Sequence, residues 1–238
     1  DRWKDVLVEQ LADIVQPQGI YERNDVPVRT LEGMQQQTGL LYGEVPERVD
    51  MVENGLHFRV DVQRGQKTGF FLDQKENRAA LRPLCAGARV LDCFCHNGSF
   101  ALHAARYGAT DCLGVDISED AVAVAQENAA LNDLSVRFEA HNAFDYLREQ
   151  YKAGEKYDVV ILDPPAFTKT RAAVPGALRG YKEINLRAMK LLREGGYLVT
   201  CSCSQHVDRA AFLGVVQSAA RDARKVVRQV EFRTQGDR

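Results

Sequence analysis

Apolar segments of strand length alternate regularly with amphipathic segments of helix length over most of the chain, from residue 89 onward. The apolar segments predict strands at 89–93, 111–115, 136–140, 157–162, 197–203 and 226–232, and the amphipathic segments predict helices at 99–107, 119–131, 144–151, 181–193 and 208–220. Strands that are separated by helices form parallel sheets with helices on both faces. The pattern therefore predicts a doubly wound, mostly parallel, Rossmann-like α/β sheet.

The first part of the chain has a different pattern. Apolar residues spaced three and four apart predict a helix over 3–15, and short strands follow at 19–22 and 39–44. Two alternating segments, 49–52 and 56–62, flank Asn54-Gly55, a pair that favours the type I′ turn of a β-hairpin. We therefore expect a small α+β domain over 1–73 and a larger domain over 74–238.

A glycine-flanked segment, GQKTGFFLDQKENR at residues 65–78, joins the two predicted domains. Its apolar Phe70, Phe71 and Leu72 are typical of a hinge between domains, and a ligand clamp is the alternative. Asp73 is placed to cap a helix that runs to about residue 84.

Composition limits the class of protein. The 238 residues are 45% hydrophobic and 27% charged, with a net charge of −2, which gives no overall signal for nucleic acid. There is no apolar run near the roughly 18 residues of a membrane helix, and no secretion signal. The six cysteines include no C-x-x-C pair and are typical of reduced thiols, so we expect a cytoplasmic protein without a metal. Because the chain begins at Asp1, we treat it as processed or trimmed.

The residues after the first strand of the predicted sheet indicate a nucleotide pocket. Asp92 ends that strand, and a loop reaches Gly98 before a helix begins, in the pattern D-x-F-x-x-x-G instead of G-x-G-x-x-G. Asp116 ends the next strand and is placed to accept from both hydroxyls of a ribose. Two carboxylates and one glycine suit S-adenosyl-L-methionine, which has no phosphate. The alternative is a plain β-α-β unit whose acids cap helices.

A second group of residues lies at the ends of the fourth and fifth predicted strands. In the strand order usual for methyltransferase sheets, Asp92, Asp163 and Cys203 lie along one rim. Asp163 begins the sequence Asp-Pro-Pro-Ala-Phe, in which Pro164 and Pro165 stiffen the backbone. Cys203 is a candidate nucleophile, whereas Cys93, Cys112 and Cys201 are expected to be small buried apolar residues.

These residues match the chemistry of cytosine methylation at carbon 5. That carbon is a poor nucleophile until a thiolate adds to carbon 6, and an acid near ring N3 or the exocyclic amine stabilises the adduct. A base then removes the carbon 5 proton, and the cysteine leaves. Cys203, Asp163 and the pocket at Asp92 and Asp116 meet these needs, with the target base unstacked into the site.

The chain also resembles the bacterial class I methyltransferases that make 5-methylcytosine in large-subunit ribosomal RNA. The resemblance covers nearly the whole chain and rests on GQKTGFFLDQKENR, LDCFCHNGSF, GVDIS with ENAALN, LDPPAF, GYKEIN and SCS. It implies an RNA-binding PUA domain, a small central domain and the catalytic sheet, of which this chain is expected to lack the PUA domain and the last strand.

The resemblance also implies roles for individual residues. Asp92 contacts the methionine end of the cofactor, Asp116 the ribose and Asn142, in place of the family's acid, the adenine. Asp163 and Cys203 carry over as the substrate-side acid and the nucleophile. The rest of the implied cofactor site is Phe71, Leu72, Gln74, Phe94, Gly98, Ile117 and Ala143, together with Asp163.

One residue departs from related RNA enzymes and bears on the choice of methyl acceptor. Many RNA 5-methylcytosine enzymes have a second cysteine directly after the two prolines, where this chain has Ala166. Another base must then remove the proton; His206 is a candidate, and a surface histidine at a helix start is the alternative. Related guanine-N7 enzymes lack the rim cysteine, and enzymes for exocyclic amines place an aromatic residue directly after the prolines. Both comparisons favour carbon methylation.

A basic segment follows the proline turn. Residues 169–193 contain seven Lys or Arg and one acid, which predicts RNA binding beside the pocket, with Lys67, Lys75 and Arg78 as extensions. Phe167 or Tyr181 is expected to stack on the base. The predicted substrate residues are Pro164, Pro165, Phe167, Lys169, Arg179, Tyr181 and Lys182.

Three alternatives to this function stay open. One is a guanine-N7 or other rRNA base methyltransferase, and a second is a module that binds the cofactor or RNA without catalysis. A small-molecule methyltransferase is the third, because this fold accepts many substrates. The nucleotide and the oligomeric state, a homodimer included, are also left open.

Overall fold

A computed structural model describes residues 1–66 and 68–234 of the chain. The chain divides into two compact units. The first unit comprises residues 1–52 and 58–72, and the second comprises residues 53–57 and those from 73 onward.

The first unit contains two small strand pairs and two helices, except that residues 53–57 at the tip of the second pair belong to the second unit. Its elements are α1 Lys4–Val15, β1 Gly19–Asn24, α2 Pro27–Leu31, β2 Gln37–Gly43, β3 Arg48–Glu53 and β4 Leu56–Asp61. β1 pairs with β2 in antiparallel orientation, and β3 pairs with β4. Asn54 and Gly55 connect β3 and β4 with φ angles of 51° and 79°, and a type I′ turn requires positive values at both positions. The predicted helix, strands and hairpin are confirmed, and the pattern missed α2.

A five-stranded sheet forms the second unit. Its strands are β5 Arg89–Cys93, β6 Asp111–Asp116, β7 Arg137–Ala140, β8 Tyr157–Leu162 and β9 Leu192–Thr200. Their order is β7-β6-β5-β8-β9, and every neighbouring pair is parallel. The helices are α3 Lys75–Ala79, α4 Arg82–Cys85, α5 Ser99–Arg106, α6 Glu119–Leu131, α7 Ala143–Lys152, α8 Val174–Leu191 and α9 Arg209–Ala223. The predicted doubly wound parallel sheet is confirmed.

The two central strands, β5 and β8, carry the core of this unit. Four of the five β5 residues and five of the six β8 residues are buried. Helices cover both faces of a doubly wound sheet, so its central strands are apolar along nearly their whole length. The core includes Leu91, Val160, Leu162, Ile184 and Leu191. This rigid centre fixes the residues that follow each strand.

Three predicted elements have other bounds in the structure. In place of the single helix expected after Asp73, the chain forms a short 3₁₀ turn followed by the two short helices α3 and α4. The Asp73 side chain does not cap α3. α8 begins at Val174, seven residues before the predicted start, with a proline in its first turn. β9 ends at Thr200, so Cys203 follows the strand.

The strand predicted at 226–232 is wrong. Residues 225–234 have no regular secondary structure, and the side chains of Val226 and Val230 are exposed. An alternating apolar pattern becomes a strand only where a neighbour pairs with it, and this segment pairs with no strand among the described residues. No helix within the described part of the chain is long and apolar enough to span a membrane.

A buried ion pair fastens the tip of the β3–β4 hairpin within the second unit. Arg78 on α3 donates to both carboxylate oxygens of Glu53, from Nε at 2.5 Å and from Nη2 at 2.8 Å, and both side chains are 2% exposed or less. The ring of His103 lies 3.7 Å from Glu53 and is also buried, and burial lowers the pKa of His103 to about 4. Removing one partner of such a pair leaves an uncompensated buried charge.

We therefore expect Glu53→Ala to lower the free energy of unfolding by about 3–5 kcal/mol. Asp50→Ala in the same hairpin is the control, because Asp50 is an exposed partner of Arg59, and exposed pairs contribute at most about 1 kcal/mol. Urea denaturation measures both variants. Equal losses in the two variants would contradict the role given to the buried pair.

Candidate functional site

The loop after β5 has an unusual backbone. Phe94, His96 and Gly98 have φ angles of 64°, 49° and 78°. Positive φ is uncommon for residues other than glycine and is concentrated at functional sites. A Cβ on Gly98 would also lie 2.6 Å from the ring of Phe138, so only glycine fits there. The loop is thus held in a shape that an ordinary sequence would not adopt.

Asp116 at the end of β6 holds this loop in place. Its Oδ2 accepts a hydrogen bond from the backbone N–H of His96 at 2.9 Å, and its Oδ1 accepts from Ser118 N–H at 3.0 Å. Each carboxylate oxygen has two lone pairs, so both can accept a second hydrogen bond. The predicted contact to a ribose is therefore compatible with the bonds that Asp116 already makes.

Asp92 lies near the end of β5, Asp163 directly follows β8, and the two acids lie close enough for the charge on Asp163 to act on Asp92. Parallel pairing aligns β5 with β8, and the backbone N–H of Asp163 donates to Cys93 O at 3.3 Å. Asp92 is fully buried; its Oδ2 accepts from Ala101 N–H at 3.0 Å, and its Oδ1 has no hydrogen-bond partner among the described residues. A buried acceptor without a partner costs free energy and fits a site that a donor from a ligand completes.

The electrostatics of this pair favour a positively charged ligand. Burial raises the pKa of Asp92 well above its ordinary value, and the charge on Asp163 raises it further. Burial also raises the pKa of Asp163 to about 6, with Asp73 adding to the shift and Arg78 opposing it. Since Arg78 is already paired with Glu53, a further positive charge from a ligand would stabilise the charged forms of Asp92 and Asp163.

The residues around these acids fit S-adenosylmethionine, which carries an ammonium and a sulfonium. Ile117 follows Asp116 and is 72% exposed, which leaves an apolar surface for a base. Asn142 caps α7 by accepting from Phe144 N–H at 2.9 Å, so its amide N–H₂ stays available as a donor to an adenine. Ala143 is buried beside it. Phe71 and Leu72 belong to the first unit, and their predicted role remains a prediction.

Cys203 follows β9 and lies outside the core, beside the turn that follows β8. Cys201 N–H donates to Leu162 O at 2.8 Å, which continues the β8–β9 pairing by one residue. Two residues later the chain has left the sheet, Cys203 is exposed, and its Sγ lies 3.7 Å from the carbonyl oxygen of Pro164. The candidate nucleophile is therefore adjacent to the proline turn that begins at Asp163.

Cys201 has more contacts than an inert apolar residue would. Its thiol interacts with the carboxyl of Asp163 and with the amide of Gln74, and burial raises its pKa well above the ordinary value. Alternation along the strand predicts the direction of this side chain but not its polar neighbours. The expectation that Cys201 acts only as a small apolar residue is therefore corrected.

The expectation that Tyr181 stacks on a substrate base is wrong. Its side chain is fully buried, and its hydroxyl forms hydrogen bonds with the hydroxyls of Ser202 and Ser204, at 3.1 and 2.9 Å. The start of α8 at Val174 places Tyr181 inside the helix, facing the core. Phe167 is half-buried, and its ring centroid lies 4.6 Å from that of Tyr181, so less of its surface is available to a base.

Salt bridges reduce the predicted basic surface. Lys182 pairs with Asp222 at 2.7 Å, Arg187 pairs with Glu183, and Arg193 pairs with Asp158. Arg78 is buried against Glu53 and cannot extend this surface, and Lys67 lies outside the described residues. The exposed cations without an ion pair in the described part of this segment are Lys169, Arg171 and Arg179.

The two prolines predicted to contact the substrate differ in exposure. Pro164 is buried, and Pro165 is exposed.

Comparisons with known proteins identify the family of the chain. Residues 33–233 match the model of a family described as S-adenosylmethionine-dependent methyltransferases. The chain is 42% identical over 237 residues to the ribosomal RNA large subunit methyltransferase I of Aeromonas hydrophila, a match that covers 98% of this chain and 60% of that protein. The chain thus spans about 60% of the length of the curated relatives it matches.

Solved structures show the same fold. A candidate S-adenosylmethionine-dependent methyltransferase from Streptococcus mutans superposes with a TM-score of 0.78 at 24% identity, over 92% of this chain and 56% of that one. SMU.776, a candidate methyltransferase solved with S-adenosylhomocysteine, superposes with a TM-score of 0.79 at 24% identity, with the same coverage. At this level of identity the likeness concerns the fold.

The raised pKa of Asp163 predicts a pH-dependent stability. The ordinary pKa is 3.8 and the folded value is about 6, so the folded protein binds this proton more tightly than the unfolded chain does. The cost of burying the charged form is absent below about pH 4, grows as the pH rises to about 6 and persists above that. We expect the stability of Asp163→Asn relative to the native protein to rise by up to about 3 kcal/mol between pH 4 and pH 8, at 1.36 kcal/mol per pKa unit.

Urea denaturation at pH 4, 6 and 8 measures this difference. Asp120→Asn is the matched control, since Asp120 is an exposed acid on α6. A difference between Asp163→Asn and the native protein that does not change with pH would show that Asp163 is charged at little cost.

Proposed function

Because the chain belongs to the S-adenosylmethionine-dependent methyltransferase family, we propose that it methylates carbon 5 of a cytosine in large-subunit ribosomal RNA. S-adenosylmethionine is the cofactor. The observation that carries the proposal is the position of Cys203, exposed and 3.7 Å from the Pro164 carbonyl at the turn that begins with Asp163. The relatives at 42% identity are named for large-subunit rRNA, which supports the choice of substrate.

The cofactor is held by the acids at the strand ends. Asp92 Oδ1 is the acceptor available to the ammonium, and Asp116 is the acceptor available to the ribose hydroxyls. Asn142 and Ile117 contact the adenine by a hydrogen bond and by apolar packing. When bound, the cofactor supplies an electrophilic methyl carbon.

The residues of this chain prepare the cytosine for methylation. The thiolate of Cys203 adds to carbon 6, forming a bond between Sγ and the ring and making carbon 5 nucleophilic. Asp163 has a pKa of about 6 and holds a proton at ring N3, which neutralises the charge that the addition places on the ring. After methylation a base removes the carbon 5 proton, the Sγ–carbon 6 bond breaks and aromaticity returns. His206, half-buried three residues after Cys203, is the candidate for this base.

The RNA substrate is bound through phosphates near the proline turn. Lys169, Arg171 and Arg179 are exposed and extend over the segment that follows Phe167. Lys and Arg contacts to phosphates supply most of the affinity for RNA without reading its sequence. These three cations are therefore the part of the basic segment that we assign to the RNA.

The covalent step makes a direct prediction. We expect Cys203→Ala to abolish 5-methylcytidine formation when the full-length protein is incubated with S-adenosylmethionine and unmodified large-subunit rRNA, because the carbon cannot be activated without the thiolate. Mass spectrometry of RNA digests measures the product. Cys112→Ala is the control, since Cys112 is buried in β6 and belongs to no part of the site.

Three outcomes would overturn this mechanism. Full activity of Cys203→Ala would exclude covalent activation by this residue, and loss of activity in Cys201→Ala alone would move the nucleophile to Cys201. A product of 7-methylguanosine in the native protein would replace the reaction with methylation of a ring nitrogen, which needs no thiolate.

The ribose contact makes a second prediction. We expect Asp116→Ala to weaken S-adenosylmethionine binding about 10- to 100-fold, because it removes charge-assisted hydrogen bonds to the ribose and the bonds that hold His96 and Ser118. Isothermal calorimetry measures the affinity, with Asp120→Ala as the control. Unchanged affinity in Asp116→Ala would remove the ribose assignment.

A further inference from the structure

Two amide side chains connect α3 to the carboxyl of Asp163. Gln74 Nε2 donates to Asp163 Oδ1 at 3.0 Å, and Asn77 Nδ2 donates to Gln74 Oε1 at 2.5 Å. An amide nitrogen only donates, so the bond from Asn77 fixes the oxygen of Gln74 on the side of α3 and its nitrogen on the side of Asp163. Each side chain therefore orients the next.

The arrangement costs free energy that a purely structural contact would avoid. Asn77 Oδ1 is buried and has no hydrogen-bond partner among the described residues. A buried polar atom without a partner is destabilising, and natural folds retain few of them. An apolar residue at position 77 would remove this cost but would leave the Gln74 amide able to rotate.

The thiol of Cys201 interacts with both members of the Gln74–Asp163 contact. The charged and titratable groups that face Asp163 are Asp73, Arg78, Asp92 and Cys201. The hydrogen bond from the neutral amide of Gln74 reaches one carboxylate oxygen of Asp163, Oδ1. Such a bond sets the direction of the carboxylate without neutralising its charge.

We propose that Asn77 and Gln74 are positioning residues for the proposed methyl transfer: the Asn77–Gln74 pair holds one oxygen of Asp163 so that the other is presented to the substrate base. The inference rests on the proposed function. It gives Gln74 a different role from the cofactor contact that the sequence predicts, and the two roles have separable consequences. A cofactor contact affects the affinity for S-adenosylmethionine, whereas a positioning residue affects the rate and the titration of Asp163.

The test uses Gln74→Ala and Asn77→Ala in the full-length protein. We expect kcat for 5-methylcytidine formation to fall about 10- to 100-fold in Gln74→Ala, because a misplaced catalytic group loses rate steeply. The S-adenosylmethionine dissociation constant should stay within about twofold, since Gln74 does not bind the cofactor in this account. The pH–rate limb that Asp163 controls should move to higher pH, because the lost hydrogen bond favours the charged form.

Asn77→Ala and the double variant test the order of the contacts. Asn77→Ala should lower kcat less than Gln74→Ala does. The variant that carries both substitutions should lose no more kcat than Gln74→Ala alone, because Asn77 acts through Gln74. Gln126→Ala is the control, as Gln126 is an exposed amide on α6, and it should keep native kinetics. If the losses of kcat in the two single variants add up in the double variant, Asn77 does not act through Gln74. A weaker S-adenosylmethionine affinity at unchanged kcat would also contradict the positioning role.

A measurement without turnover separates this inference from the proposed function. Carbon-detected NMR of ¹³C-aspartate-labelled protein, assigned with Asp163→Asn, follows the titration of Asp163. A higher pKa of Asp163 in Gln74→Ala than in the native protein supports the positioning role even if the native protein makes no 5-methylcytidine, in which case only the proposed function fails. An unchanged pKa would overturn the positioning role even if the native protein is active.

Discussion

Two buried carboxyl groups at the ends of neighbouring parallel strands are the constraint on which the site depends. The pairing of β5 with β8 sets Asp92 opposite Ile161, two residues before Asp163, and burial raises the pKa of both acids. Arg78, the cation that offsets this charge, is itself bound to Glu53 at the tip of the hairpin. The fold therefore maintains two carboxyl groups whose charged forms a cationic ligand stabilises, and S-adenosylmethionine carries two positive groups.

The rest of the site follows from where the strands end. β9 stops at Thr200 while its pairing continues through Cys201, so Cys203 leaves the sheet beside the proline turn instead of entering the core. Asp116, at the end of β6, accepts a hydrogen bond from His96 N–H and so holds the loop that follows the neighbouring strand β5. Three consecutive strand ends, β6, β5 and β8, thus present one acid each, and the chain after β9 presents the thiol.

Much of this could be predicted from the sequence, because it depends on local patterns. The strands β5 and β8 were predicted at their observed bounds, since buried parallel strands are continuous apolar runs and their ends are marked by Asp92 and Asp163. Contacts between residues far apart in the sequence could not be predicted, because no local pattern indicates that Gln74 bonds to Asp163 or that Cys201 lies beside them. Tyr181 was misjudged for a related reason, as the start of α8 depends on packing that the sequence does not display. The segment 226–232 alternates like a strand, but pairing with a neighbour decides its structure.

The central claim is that burial favours the protonated form of Asp92 in the free protein, and that binding of the cationic cofactor beside it shifts Asp92 to its charged form and releases a proton to the solvent. Calorimetry of S-adenosylmethionine binding at pH 6, in buffers with different ionisation enthalpies, measures this directly, because released protons are taken up by the buffer. The account predicts a net release of protons, seen as a binding enthalpy that varies with the buffer. A binding enthalpy that is the same in every buffer would contradict it.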